Sequence, residues 1–114
     1  MDLVAGIDIG GTMTKIGLVE HNGKCHEQLF FRTRDFDNFD SFLDRIVEGI
    51  DELKANFKTD VNLIGCGIGA PNASSRSGTI ENAANLKWKG TVPILAKMNA
   101  VQSPPVAAVW KSSA

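Results

Sequence analysis

Five residues near the start of the chain, within the stretch GIDIGGTMTKIGLV, have the types and spacing needed to bind a phosphate. Gly10 and Gly11 allow backbone conformations closed to other residues and leave amide N–H groups uncovered, so these groups can converge on an anion. Thr12 adds a hydroxyl donor. Asp8 ends an apolar run and can hold a hydrated Mg²⁺, and Lys15 can reach a phosphate as a point charge. The sequence therefore predicts a phosphate and metal cradle.

This glycine turn differs from the two commonest nucleotide-binding loops. Walker A requires Gly-x4-Gly-Lys-Ser/Thr leading into a helix, and the Rossmann fingerprint requires Gly-x-Gly-x-x-Gly before a helix. Here neither spacing occurs, and the residues after the turn have the pattern of a strand. A glycine pair alone is most often an ordinary hairpin turn. The neighbouring acid, hydroxyl and lysine favour phosphate binding over that simpler interpretation.

Two strands, over residues 2–9 and 14–20, are predicted to position the turn, because β-forming residues flank it on both sides. A second turn at HNG leads to a third strand over 24–33, so the opening is a three-stranded antiparallel meander. Apolar residues then recur at three- and four-residue steps over 39–57 and predict a helix that Asp37 or Asn38 can cap.

The second half of the chain is less regular. Residues 61–70 read as a central strand in which glycines permit a close approach by a neighbour or ligand. A polar loop is expected from Asn72, followed by a short helix that begins at Pro93. Strands followed by a helix and a further strand predict an α/β fold in which the helix covers one face of the sheet.

Composition excludes several classes of protein. The 114 residues are 43% apolar and 22% charged with a net charge of -1, so there is no basic excess to favour nucleic acid or an anionic membrane. No apolar run is long enough to span a membrane, and no signal peptide is apparent, so we expect a cytoplasmic protein. Cys25 and Cys66 form no zinc or disulfide motif and are expected to be buried or half-buried thiols.

The glycine hairpin resembles the first phosphate motif of the actin, hexokinase and heat-shock chaperone superfamily. That resemblance implies ATP and Mg²⁺ as cofactors: Asp8 would organise Mg²⁺ through water, Gly10, Gly11 and Thr12 would line the phosphates, and Lys15 would lie beside them. It also implies the fold, a ribonuclease H-like (actin-like ATPase) half-domain with a three-stranded antiparallel meander, a helix and a further strand.

Residues 67–93, GIGAPNASSRSGTIENAANLKWKGTVP, narrow the resemblance to ROK sugar kinases, and to their glucokinase-like members. In that family Pro71, Asn72, Ala84 and Asn85 would face the sugar cleft, and the complete protein would transfer a phosphoryl group from ATP to a hexose. The family usually has Pro-Gly where this chain has Pro-Asn, so the sugar preference does not carry over.

The end of the chain departs from the family pattern. Aligning the family's Pro-Val on residues 105–106 places Lys111 where the family has the aspartate that takes the proton from the sugar hydroxyl. A lysine does not replace that base at neutral pH without a large change in pKa. We therefore expect no catalytic residue here, a phosphate-binding lobe over 1–100, and a divergent or truncated tail over 101–114. The chain alone would be inactive.

Two other functions stay open. The chain can be part of a sugar-responsive ROK regulator, although such regulators carry a DNA-binding domain ahead of the phosphate motif, which here starts close to Met1. It can also be a small domain that binds a phosphate or a partner without catalysis. Because the rest of a ROK kinase would cover this lobe, exposed apolar surface and possible homodimerisation are expected.

Other polar and aromatic residues are interpreted as structural. His21 and His26 are expected to be exposed hairpin residues, and Arg32 and Arg34 a solvated strand end. Trp88 lies between lysines and is expected to pack over a sheet edge rather than to stack on a ligand.

Overall fold

The first half of the sheet is an antiparallel meander. The computed structural model describes residues 1–101 and 108–111. Strands β1 (Asp2–Ile9), β2 (Met13–Val19) and β3 (Cys25–Arg32) follow one another, and each pairs antiparallel with the next. The meander predicted from the sequence is confirmed.

Helix α1 (Phe39–Ala55) covers one face of this sheet. It begins at Asn38, whose side chain accepts a hydrogen bond from the Ser41 amide at 2.8 Å, as expected of a helix N-cap. Its buried residues follow the predicted stripe of three- and four-residue steps; they are Phe39, Phe42, Leu43, Ile46, Gly49, Ile50 and Leu53. The core therefore lies between α1 and the apolar positions of β1 and β2.

Strand β4 (Asn62–Ala70) runs parallel to β1 and lies next to it, as a strand after a crossover helix does. Three short strands follow, where a polar loop was expected: β5 (Ala73–Ser74), β6 (Thr79–Glu81) and β7 (Thr91–Val92). They form a separate antiparallel sheet in the order β5-β6-β7. The expectation of a loop was wrong because each strand is too short to show alternation.

Helix α2 (Ile94–Val101) follows Pro93 as predicted, and strand β8 (Ala108–Lys111) then pairs parallel with β4. The main sheet has the order β3-β2-β1-β4-β8. Part of the region assigned to a divergent tail is thus a strand of this sheet. Residues 105–106, on which the family's Pro-Val was aligned, lie outside the described residues.

Two smaller expectations can be compared with the structure. Gly23 has φ +92°, the positive value that the HNG turn predicts. Cys66 is buried, as expected, but Cys25 is exposed on the edge strand β3, so the expectation of a buried or half-buried thiol there was wrong. Within the described part of the chain, no helix is long and apolar enough to cross a membrane.

Candidate functional site

The predicted phosphate turn lies at the edge of the main sheet that is formed by the carboxyl ends of three parallel strands, β1, β4 and β8. β1 ends at Ile9 immediately before the turn, β4 ends at Ala70, and β8 ends at Lys111. Ligands of α/β sheets bind outside the carboxyl ends of parallel strands. This edge is therefore where a ligand site is expected, and the turn forms part of it.

Asp8 and Lys15 face each other across the hairpin. They are directly paired positions of β1 and β2, and Asp8 is also paired with Gly69 of β4. Both side chains are exposed on the face of the sheet opposite α1. Neither has an ion-pair or hydrogen-bond partner among the described residues, so the carboxylate and the ammonium group are both available to a ligand.

Close approach, rather than an unusual backbone conformation, explains the two glycines of the turn. Gly10 and Gly11 are not among the residues with positive φ, so the expectation that they adopt conformations closed to other residues was wrong. A Cβ on Gly10 would lie 2.8 Å from the Met13 carbonyl oxygen, and one on Gly11 would lie 3.0 Å from the Asn85 Cβ. Any side chain at either position would push a neighbour away.

The amides of the turn are open to an anion. The Gly10 amide donates to the Met13 carbonyl at 3.0 Å and closes the hairpin. Within residues 1–101 and 108–111, the amides of Gly11 and Thr12 have no acceptor, and the exposed Thr12 hydroxyl has no partner. Two successive free N–H groups and a hydroxyl are what a phosphate oxygen requires. Mg²⁺ binds through one or two carboxylates together with substrate phosphates, and the exposed carboxylate of Asp8 fits that requirement.

A short segment after β3 holds the turn from outside. The Thr33 amide donates to the Thr12 carbonyl at 2.9 Å, and the buried hydroxyls of Thr14 and Thr33 are hydrogen-bonded at 2.8 Å. The next residue, Arg34, donates from Nε to the Gly11 carbonyl at 3.4 Å. Arg34 is exposed, as expected, but its contact with the turn was missed, because the sequence does not show that residues 23 apart meet.

The loop predicted to face the sugar is built around two asparagines with positive φ. Asn72 has φ +54° and Asn82 has φ +48°, and the Asn72 side-chain amide donates to the Asn82 carbonyl at 3.3 Å. Among side chains other than glycine, asparagine is the one that most readily adopts this region. Asn72 therefore fits where the family pattern has glycine. Pro71 next to it is buried.

The structure brings this loop to the phosphate turn. Ala84 and Asn85 are exposed, and both line a groove together with Arg34. The Asn85 Cβ and carbonyl oxygen each lie 3.0 Å from where a Gly11 Cβ would be, so Asn85 packs against the backbone of the turn. Two segments 74 residues apart in sequence thus form one continuous surface.

Trp88 holds the loop in place. It is buried, its indole N–H donates to the Phe36 carbonyl at 3.1 Å, and its ring lies 4.3 Å from Phe42 and 5.2 Å from Phe39 between centroids. Trp88 therefore packs against the beginning of α1, as a structural residue. Because an aromatic cluster fixes the loop, Asn85 three residues earlier is held against the turn.

Lys111 ends β8, where it is paired with Ala70 of β4, and it is exposed. The residue aligned with the family's catalytic aspartate is thus at the same edge as the phosphate turn and next to the strand that leads to Pro71. No carboxylate stands at that position. That Lys111 occupies the position of the family's catalytic aspartate remains a prediction.

The two histidines and the buried cysteine have structural environments. His21 is exposed, whereas His26 is half-buried, its ring nitrogen is 2.8 Å from a Glu20 carboxylate oxygen, and its ring packs edge-on against Phe57. Burial raises the pKa of the Cys66 thiol to about 11. In the described part of the chain, no three His, Cys, Asp or Glu side chains are grouped so that they could hold a metal ion.

Solved structures of sugar kinases share this fold. A ROK glucokinase from Streptomyces griseus, solved with glucose and AMPPNP, has a TM-score of 0.80 and 24% identity, with 96% of this chain and 33% of that one covered. An inorganic polyphosphate/ATP-glucomannokinase from Arthrobacter has a TM-score of 0.72 and 26% identity, covering 97% and 44%. A ROK transcriptional regulator, a homologue of the E. coli MLC protein, has a TM-score of 0.75 and 16% identity, covering 96% and 28%.

The chain thus has the mixed α/β fold of an actin-like ATPase half-domain, as the resemblance of its hairpin predicted. Residues 4–109 match the model of the ROK family, so the chain belongs to that family. It spans 33% of the length of the glucokinase structure to which it is similar. A search of curated proteins found no match.

Proposed function

We propose that this chain is the phosphate-binding lobe of an ATP-dependent hexose kinase of the glucokinase type. One observation carries the proposal: at Gly11 and Thr12, two successive amides and a hydroxyl have no partner among the described residues, and the nearby Asp8 carboxylate and Lys15 ammonium group are exposed and also have none there. This combination supplies donors for phosphate oxygens, a ligand for Mg²⁺ and a positive charge.

The proposed roles are those that the family resemblance implies, and the free amides and exposed charges of the turn support them. Gly11 and Thr12 donate hydrogen bonds to phosphate oxygens of ATP, and Lys15 compensates their charge. Asp8 holds Mg²⁺ through water, and the ion, when bound, neutralises charge that develops on the transferred group. A hexose lies on the side of the turn where Ala84 and Asn85 are exposed. A homodimer and a cytoplasmic location, where ATP is available, belong to the same proposal.

We further propose that these 114 residues do not turn over by themselves. A positioned general base contributes about 10² to 10⁴ in rate, and at the aligned position the chain has Lys111. Phosphoryl transfer depends on groups that surround the transferred phosphate. The lobe is expected to bind the donor phosphates weakly and to leave the hexose unphosphorylated.

Binding of AMPPNP with Mg²⁺, measured by isothermal titration calorimetry, tests the site. Lys15→Gln and Asp8→Asn are each expected to weaken binding by about tenfold, since each removes a charge–phosphate or charge–metal interaction. Lys24→Gln is the matched control, because Lys24 is an exposed lysine in the next hairpin turn. Equal affinity of the Lys15→Gln and Lys24→Gln variants would exclude the turn as the phosphate site.

A coupled assay with ATP and a panel of hexoses tests the second part. We expect no turnover by this chain above the background rate. Measurable phosphorylation of any hexose would refute the view that a base is missing, and it would direct attention to a carboxylate elsewhere at this edge of the sheet.

The noncatalytic alternative has one observation in its favour, the exposed lysine at the aligned base position. A regulator or a partner-binding domain would bind a sugar or phosphate without transfer. Calorimetric titration with glucose, with and without AMPPNP, separates the two, because sugar binding that is unaffected by Lys15→Gln and independent of nucleotide would favour the alternative.

A further inference from the structure

A groove next to the phosphate turn has an excess of positive charge. Arg34, Asn85, Lys87 and Lys89 line it, and Asp37 is the one carboxylate among its described lining residues. These residues come from two segments, one after β3 and one in the loop between β6 and β7. The groove lies beyond the residues assigned to the phosphates of ATP.

Among the residues that the structure describes, only one of the three cations, Lys87, has a carboxylate partner. Lys87 Nζ lies 2.8 Å from the Asp37 carboxylate, and this contact lowers the pKa of that carboxyl from its ordinary value. Lys89 donates to the Leu86 carbonyl at 3.1 Å, a contact that leaves its charge unbalanced. Arg34 has no ion-pair partner among the described residues. The groove therefore has two cations without a counter-charge.

Arg34 is oriented by the turn itself. Its Nε donates to the Gly11 carbonyl at 3.4 Å, and its two terminal nitrogens have no acceptor in the part of the chain that the structure describes. A guanidinium held through Nε can use those terminal nitrogens to bind two oxygens of one phosphate. Arg34 is thus placed to bind a phosphate that lies beside the one bound at the turn.

Gly11 of the turn contacts two of the residues that line the groove, Arg34 and Asn85. Its amide is free, its carbonyl accepts from Arg34, and its Cα packs against Asn85. A phosphate on the Gly11 and Thr12 amides would therefore border directly on the groove.

We propose that this groove is a second phosphate site, which takes a phosphate group adjacent to the one held by the turn. Arg34 and Lys89 supply its charge. The ligand chemistry is a phosphate oxyanion, borne either by a phosphoanhydride chain of the donor or by a phosphorylated sugar. The inference rests on the proposed function, since the turn must itself hold a phosphate for the two positions to act together.

Calorimetric titration with inorganic tripolyphosphate tests the inference on the 114-residue chain. The double variant Arg34→Gln/Lys89→Gln is expected to weaken binding by about tenfold or more. The control is Lys24→Gln/Lys58→Gln, which removes the same charge from exposed residues outside the groove. The control is expected to stay within about twofold of the parent chain, because exposed charges at a distance are screened.

The outcomes separate the two proposals. If Lys15→Gln weakens tripolyphosphate binding and the groove double variant weakens the binding of neither tripolyphosphate nor glucose 6-phosphate, the second site is refuted and the proposed function stands. If neither changes the affinity, both are refuted. A parallel titration with glucose 6-phosphate distinguishes the two sources of the phosphate group. If the affinity for tripolyphosphate depends on Arg34 and Lys89, the ligand is a phosphoanhydride chain. If only the affinity for glucose 6-phosphate depends on them, the ligand is the phosphorylated sugar.

All the variants in this test replace exposed side chains, so they are expected to fold. Far-UV circular dichroism and the unfolding midpoint of each variant check this. A groove variant that keeps the parent midpoint and loses tripolyphosphate binding gives the clearest support.

Discussion

Gly10→Ala is the sharpest test of the explanation given for the turn. The new Cβ would lie 2.8 Å from the Met13 carbonyl oxygen, whereas ordinary contacts of a Cβ begin near 3.4 Å. The obstructing atom belongs to the backbone, so no side-chain rotation relieves the contact. The same oxygen accepts the Gly10 amide at 3.0 Å, so moving it away breaks the hydrogen bond that closes the hairpin.

The loss in the free energy of unfolding that Gly10→Ala causes follows from three contributions. Overpacking costs about 1–3 kcal/mol, and a lost hydrogen bond costs about 1 kcal/mol. Replacing glycine by alanine returns about 0.4–1 kcal/mol by restricting the unfolded chain. The net loss is then about 1–3 kcal/mol. With a urea m-value of about 1.5 kcal/mol/M, the midpoint of unfolding falls by about 1–2 M.

Gly6→Ala is the matched control for this experiment. Gly6 lies in β1, the strand that leads into the turn, and the nearest atom to its new Cβ would be the Gly17 carbonyl oxygen at 4.0 Å, an ordinary contact. This variant is expected to keep the parent midpoint or to raise it slightly. Equal midpoints for Gly10→Ala and Gly6→Ala would refute the argument that close approach requires glycine in the turn.

Four further predictions concern the rest of the fold. Phe42→Ala removes a fully buried ring from the aromatic cluster and is expected to cost about 3–5 kcal/mol in urea unfolding, enough to leave the chain largely unfolded. Asn38→Ala removes the hydrogen bond to the Ser41 amide and should cost about 1 kcal/mol, with Asn38→Asp as a control that keeps the cap. Burial raises the pKa of the Cys66 thiol from 9.0 to about 11, so the folded chain keeps a proton that the unfolded chain releases. The free energy of unfolding in urea should therefore fall as the pH rises from 9 to 11. Cys66→Ala should remove that pH dependence. At pH 8 a thiol reagent should label Cys25 rapidly and Cys66 only as fast as the chain opens; equal rates would contradict the burial of Cys66.

The elements with regular periodicity could be predicted from the sequence. The meander has alternating strands joined by a glycine turn and an Asn-Gly turn, and α1 has seven buried residues on one stripe. The three short strands of the second sheet could not be predicted from the sequence, because two of them have only two residues each. The loop that contains them has two asparagines with positive φ, Asn72 and Asn82, and these are joined by a hydrogen bond that no local sequence pattern shows.

Trp88 shows how an assignment can be correct while its location is not. The sequence favoured packing over ligand stacking, because an indole ring with an apolar body between lysines usually packs. It placed the ring over a sheet edge, whereas the structure places it against Phe39 and Phe42 at the beginning of α1. Contact between residues 46–49 positions apart depends on the path of the chain between them, which residue type does not reveal.

The residues of the phosphate turn were predictable because their chemistry is local, but the reason for the glycines was not. Three segments distant in sequence meet at Gly11: β1 leads to it, Arg34 donates to its carbonyl, and Asn85 packs on its Cα. Each contact restrains a different atom of the same residue and leaves its amide for a ligand. A displacement of the loop that carries Asn85 must therefore move the turn as well. In the sequence this dependence is visible only as a glycine at position 11, and the neighbours that approach that glycine determine its role.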